Sequence, residues 1–161
     1  MLWRNYIWIT KSAPLRGSDS TSFAIQSIRF LNVSDVIRLA QAAPRREIKT
    51  DVGNEILLNY TLLMDRLSVS EIIQLSQACW DISVQNKILV EGARKEGLFL
   101  TVSEIITLAN QASEISRRDE ILLDYASLQR SRLEFADFRE LRKAARLENS
   151  IRKIDEIIFT L

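Results

Sequence analysis

Four acidic residues, Asp35, Glu71, Glu104 and Asp137, recur at intervals of 36, 33 and 33 residues. A ladder of carboxylates at fixed spacing can do acid–base or metal chemistry, so its surroundings decide what it is for. Each acid stands three residues after a polar position: Asn32, Ser68, Thr101 or Glu134. A polar residue followed three positions later by an acid is the signature of a helix N-terminus. The first side chain accepts from the third helical amide while the acid reaches back. The capping reading therefore outweighs the catalytic one, with Glu134 the poorest cap of the four. The chain contains no histidine and a single cysteine, Cys79. This excludes histidine-based nucleophile systems, an internal disulfide and a thiolate metal cluster. Cys79 falls in the column held by Ala43, Ala112 and Ala145, which marks it as a small core residue.

The columns around these acids repeat as well. LNVSDVIRLAQAA from Leu31, LSVSEIIQLSQAC from Leu67, LTVSEIITLANQA from Leu100 and LEFADFRELRKAA from Leu133 align without gaps. A second motif follows each: NEILLNY from Asn54, NKILVEG from Asn86, DEILLDY from Asp119 and DEIIFTL from Asp155. The first motif has the i, i+3, i+4, i+7 apolar spacing of an amphipathic helix, as in Ile105, Leu108, Ala109 and Ala112. The pairs Leu31/Val36, Leu67/Ile72, Leu100/Ile105 and Leu133/Phe138 have the spacing of a hydrophobic staple. The second motif supplies Ile56, Leu57, Tyr60, Leu63 and Met64, or Ile121, Leu122, Tyr125 and Leu128. Only 4 glycines and 2 prolines punctuate the 161 residues, which disfavours hairpins of strands.

The sequence thus predicts an all-α protein, a short α-solenoid of about four two-helix repeats of roughly 33 residues, because hairpins of this kind bury their second apolar face only by stacking. Residues 1–20 read as an N-terminal extension and 21–161 as the repeat domain. Ser22–Phe30 reads as half a repeat leading into Leu31, and Leu147–Leu161 as a terminal helix with an apolar finish. Pro44 and the Trp80–Ser83 stretch fall at turns between helices, with Trp80 a core or turn residue. No run of about 18 apolar residues is present, so no membrane span is expected.

Charge is uneven. Residues 1–49 carry eight Lys/Arg against three Asp/Glu, residues 50–128 six against twelve, and residues 129–161 eight against six. The extension contains Arg4, Lys11 and Arg16 with Trp3, Tyr6 and Trp8, a composition that resembles an organellar targeting peptide. The aromatic three are candidate partner contacts. Arg45, Arg46 and Lys49, and Arg117 with Arg118, fall between the two motifs of a repeat. Arg130, Arg132, Arg139, Arg142, Lys143 and Arg146 crowd the junction of the third and fourth repeats. With Arg139 set aside, these basic residues and those of the extension are the candidate contacts to RNA phosphates; a solvated face is the alternative. No glycine-rich phosphate loop accompanies them, so nucleotide binding is unsupported and no cofactor is expected.

The pattern L-x-V-S-E-I-I-x-L-A-x-x-A followed by D-E-I-L-L-x-Y resembles the degenerate helical-hairpin repeats of organellar RNA-binding proteins, the heptatricopeptide and FAST/RAP-type repeats, over roughly residues 31–161. That resemblance implies a non-catalytic structural subunit of a larger assembly. An organellar ribonucleoprotein such as the mitochondrial ribosome comes first, with RNA and neighbouring proteins as partners and a mitochondrial or other organellar location. The alternative is a protein–protein adaptor that grips a partner helix without RNA, in the cytoplasm or elsewhere.

Overall fold

The computed structural model describes residues 28–43 and 52–160 of the chain. Among these residues all regular structure is helical. After a 3-10 turn at Ile28–Phe30 come α1 (Val33–Ala42), α2 (Val52–Leu63), α3 (Val69–Ala78) and α4 (Ile82–Glu96). Then follow α5 (Val102–Gln111), α6 (Ile115–Leu128), α7 (Phe135–Ala144) and α8 (Glu148–Phe159). Odd and even helices pair as hairpins, and each hairpin packs on the next, odd against odd and even against even. The sequence motifs map onto this arrangement directly. Each odd helix starts two residues after Leu31, Leu67, Leu100 or Leu133.

The recurrent acids cap these helices. Ser68 Oγ accepts from the Glu71 amide while Glu71 Oε2 accepts from the Ser68 amide at 2.8 Å, and Thr101 with Glu104 repeats the arrangement. In α1 the Asp35 amide donates to Asn32 Oδ1 at 2.9 Å, and the Asn32 side-chain amide returns a bond to Asp35 Oδ2. At α7 the Glu134 amide donates to Asp137 Oδ2 at 2.9 Å. Each such cap contributes about 1 kcal/mol. The Glu104 carboxyl is held below its ordinary value first by the Thr101 backbone amide and then by the Thr101 hydroxyl. Cys79 is buried at the end of α3, in line with Ala112 and Ala145.

The core is a single run of aliphatic side chains shared by consecutive hairpins, with Val36, Ile72, Ile105 and Phe138 fully buried at one equivalent position of each odd helix. Two tyrosines tie hairpins shut: Tyr60 donates its hydroxyl to the Leu31 carbonyl at 2.8 Å, and Tyr125 to that of Leu100 at 2.7 Å. Gly92 holds the same position in the second hairpin. There a Cβ would lie 2.8 Å from Ile72 Cγ2, so α4 packs closely against α3 at this point.

The hairpins are held in register by a buried polar column. Asn54, Asn86 and Asp119, the first residues of the second motifs, are nearly inaccessible to solvent. Each accepts from the helix–helix turn of the hairpin that follows. Asn54 Oδ1 takes the Trp80 amide at 3.4 Å, Asn86 Oδ1 takes that of Ser113 at 3.1 Å, and Asp119 takes those of Arg146 and Leu147, the latter at 2.7 Å. Polar groups buried at this depth require such partners.

Two outcomes follow. Asp119→Ala strands two amide donors in a buried site and costs about 3 kcal/mol, whereas Asp119→Asn keeps an acceptor and costs less; urea denaturation midpoints at pH 7 check the order. Burial pushes the Tyr60 and Tyr125 phenols above the ordinary 10.0, helped by the nearby Glu71 and by Asp137 and Glu104 respectively. A pKa raised by folding gives stability that is intact below pH 10 and is lost as pH climbs through the folded value. Tyr60→Phe and Tyr125→Phe each start about 1 kcal/mol less stable at pH 8. They then show a flatter decline above pH 10 than the unsubstituted chain, measured by denaturation across pH.

Candidate interaction surfaces

Stacking consumes the flanks of each hairpin, leaving the outward helix faces and the two rows of turns. Most arginines on the helix faces are already engaged. The Arg94 guanidinium on α4 bonds Asp124 Oδ2 through two nitrogens at 2.7 and 3.0 Å, Glu91 at 3.1 Å and Glu120 at 3.4 Å. Arg117 holds Glu120 at 2.7 Å and lies 3.9 Å from Glu114. Two guanidinium groups thus face four carboxylates, and this middle surface stays acidic. Glu120 and Asp124 continue into an open groove of about 690 Å³ between α6 and α8, bordered by Leu123, Ser127, Lys153, Glu156 and Ile157. Among the described residues no group of three acids or cysteines is placed to hold a metal ion.

The expected phosphate contacts fare unevenly. Arg4, Lys11, Arg16, Arg45, Arg46, Lys49, Trp3, Tyr6 and Trp8 lie outside the described residues. Arg117 and Arg118 are not in a turn but in the first turn of α6, where Arg117 is ion-paired and the Arg118 Nε is buried. Arg142 pairs with Asp155 at 2.8 Å and Lys143 with Glu140 at 2.8 Å. Arg130 reaches the Thr160 carbonyl, and Arg132 donates to that of Leu98 at 3.3 Å. Arg146 is exposed, its amide fixed by Asp119. Trp80 lies in the turn before α4 and is exposed rather than part of the core.

The fourth hairpin departs from the others in two columns. Ile37, Ile73 and Ile106 give way to Arg139, and Ala40, Ser76 and Ala109 give way to Arg142. In the first three hairpins these positions are wholly or partly buried. In the fourth, Arg139 lies over the Phe135 ring at 5.4 Å and Arg142 engages Asp155, which leads the second motif as Asn54, Asn86 and Asp119 do but is partly exposed. The face that elsewhere receives a hairpin is here charged. With Lys143, Arg146, Arg152 and Lys153 it forms the most basic part of the described chain.

The row of turns that leads from each even helix into the next odd one carries a feature that the alignment from Leu31 onward leaves out. The residue immediately before the recurrent leucine is Phe30, Arg66, Phe99 and Arg132 in successive hairpins. The Arg66 guanidinium stacks on the Phe99 ring at 4.1 Å. Phe30 is 91% exposed and Phe99 60% exposed, and Phe135 and Phe159 are exposed as well. Starting the repeat one residue earlier in the sequence would have revealed this alternation.

No protein-family model, curated protein or solved structure matches the chain.

Replacing the two column-breaking arginines by the residues of the earlier hairpins, Arg139→Ile with Arg142→Ala, recreates an apolar stacking face. The double variant is expected to self-associate with rising concentration in sedimentation velocity, whereas the unsubstituted protein does so far less; equal behaviour would show that the arginines do not govern stacking.

Proposed function

We propose that this chain is a non-catalytic helical-repeat scaffold that joins protein neighbours within a larger assembly. The observation that carries the reading is the division of its surface. On the helix faces Arg38, Arg94, Arg117 and Arg142 pair with the chain's own carboxylates, while Phe30, Arg66, Phe99 and Arg132 gather on one row of turns, with no ion pair to Arg66 or Arg132 among the described residues. Interfaces between proteins are enriched in this combination, aromatic and arginine anchors with little lysine. The lack of histidine in the whole sequence and the capping role of the recurrent acids leave no group assigned to bond-breaking chemistry.

A second reading is an RNA-contacting subunit of an organellar ribonucleoprotein, the mitochondrial ribosome among them. Its support is the fourth hairpin, where Arg139, Arg142, Arg146 and Arg152 gather positive charge. Phosphate binding there would be steeply weakened by salt, because bound cations are released from the nucleic acid on association.

Affinity purification of the tagged protein from its native cells, with and without ribonuclease, separates the two. A defined set of proteins recovered in both conditions supports the scaffold. Co-purification of RNA, with loss of the protein set after ribonuclease, overturns it in favour of the ribonucleoprotein.

A further inference from the structure

We propose, on the scaffold reading above, that the flank of the fourth hairpin formed by Arg139, Arg142, Arg152 and Phe159 is a docking face for an acidic α-helix of a partner protein. Hydrogen bonds mark which flank of a hairpin faces the next one. Asn54, Asn86 and Asp119 each accept amides from the turn of the following hairpin. One and two turns further along the same side of each even helix stand Leu57 and Thr61, Leu89 and Ala93, and Leu122 and Ala126, all of them buried. The second motif falls later on α8 than on α6. Glu148 opens α8 as Ile115 opens α6, so counted from the helix starts Arg152, Asp155 and Phe159 take the three places. Arg152 is exposed and Phe159 is 88% exposed. On α7 the same change gives Arg139 and Arg142, exposed where the earlier hairpins cover apolar or small residues.

These replacements reverse what the flank asks of whatever covers it. In three hairpins the polar column offers an acceptor to backbone amides. Arg152 offers donors instead, and a covered guanidinium needs acceptors. Within the chain it donates to Asn149 Oδ1 at 2.9 Å. A further hairpin of the same kind would bring the amides of its turn onto that guanidinium, donor against donor. A second copy of these repeats is therefore a poor fit, and a partner rich in carboxylates a good one. Guanidinium groups also outnumber carboxylates here. A groove of about 530 Å³ is bordered by Arg142 and Arg152 and by Glu148 and Asp155, while Arg139 and Arg146 stand beside Arg142 on α7 and in the turn after it. Arg142 pairs with Asp155 at 2.8 Å. Among the described residues Arg139, Arg146 and Arg152 have no carboxylate within ion-pair distance.

The architecture favours a helix over a nucleic acid. In the other hairpins the equivalent flank receives the helices of its neighbour, odd against odd and even against even. Packed helices lie about 8–10 Å apart, close enough for arginines on one to reach carboxylates on the other. Phe159 stands where Thr61, Ala93 and Ala126 stand, and Phe135 where Val33, Val69 and Val102 stand, so two rings supply apolar anchors for a helix with one apolar side. Arg139 lies over the Phe135 ring at 5.4 Å, which holds its guanidinium at this flank. Aromatic rings with arginine, and no lysine in these columns, are the composition of a protein interface. A phosphate backbone crossing the groove would meet Glu148 and Asp155 as well as the arginines.

Selection from a displayed library of two-helix hairpins, randomised on one face, against the full-length protein tests this. Fluorescence anisotropy follows with the recovered hairpins and with a twelve-nucleotide oligouridylate. The variants are Arg139→Gln with Arg152→Gln, the charge reversal Arg152→Glu, and Arg38→Gln on the first hairpin as a control of the same chemistry. All three arginines are exposed, and circular dichroism verifies that helicity is kept. The expected result is enrichment of Asp and Glu on the randomised face. Affinity should fall at least tenfold in both flank variants and stay unchanged in Arg38→Gln. Failure to enrich acidic hairpins, or hairpins that bind the flank variants as tightly as the unsubstituted protein, overturns the docking face and leaves the scaffold reading standing. Oligouridylate binding that the flank variants abolish, with no hairpin enriched, overturns both. Dimers of the unsubstituted protein that the flank variants dissolve also overturn the docking face, because a second copy then occupies it.

Discussion

The fold depends on one recurrent interaction, the buried side chain near the start of each even helix that accepts the backbone amides of the following hairpin's turn. Asn54, Asn86 and Asp119 do this in three successive hairpins with the same partner column, Trp80, Ser113 and Arg146. Apolar stacking alone is non-directional, and helices of such similar sequence could slide by a turn at little cost. A buried acceptor that must find a particular amide does not tolerate the slip, since an unpaired polar group inside the protein costs about 1–3 kcal/mol. The polar column thus converts a generic stack of apolar hairpins into one with a fixed register.

That register lets variation in other columns carry meaning. The second hairpin has Gly92 at the tyrosine position, and the helix there lies close against Ile72. The same hairpin then uses two longer side chains, one to close itself and one to reach its neighbour. Glu96 takes the Leu67 amide, and Lys95 reaches the last carbonyls of α2, including that of Leu62 at 3.0 Å. Lys95 there both satisfies unpaired carbonyls and complements the negative end of the helix. One hairpin is therefore closed by a ring and a hydroxyl, its neighbour by charged groups, with the backbone arrangement kept.

Much of the architecture was legible because the repeats could be compared with one another. Capping pairs, staples and the small residues at helix ends stand in aligned columns, and the odd helices begin at the residues those columns indicate. The polar column was visible as the leading Asn or Asp of the second motif, but its role was not, since its partners lie 26 to 28 residues ahead in a turn with no shared residue type. The amides that it binds belong to the backbone, and backbone donors leave no mark in a sequence. Arginines were harder still. Arg94 attracted no attention alone, and Arg117 looked like a phosphate contact. Both are committed to acids brought near by folding, Arg94 to a residue 30 positions away. The sign of a cluster can be read from a sequence, but whether its charges remain available depends on which helices face each other.

Stacking also dictates where a protein of this kind can present a partner surface. The flanks of each hairpin are spent on neighbours, and the outward helix faces carry self-compensating ion pairs worth little individually in water. Where hairpins stack, the turns alone are both rigid and free of packing duties. On the row leading into the odd helices, Phe30, Arg66, Phe99 and Arg132 are each followed by a wholly or partly buried leucine whose backbone is hydrogen-bonded. A residue in that position can be large, apolar and exposed without harming the core, as Phe30 is at 91% exposure. It can equally be an arginine, as at Arg66 and Arg132. Because the core places little demand on this column, rings and guanidinium groups can alternate along it, and they contact their neighbours instead: Arg66 lies over the Phe99 ring at 4.1 Å and Arg132 donates to the Leu98 carbonyl at 3.3 Å.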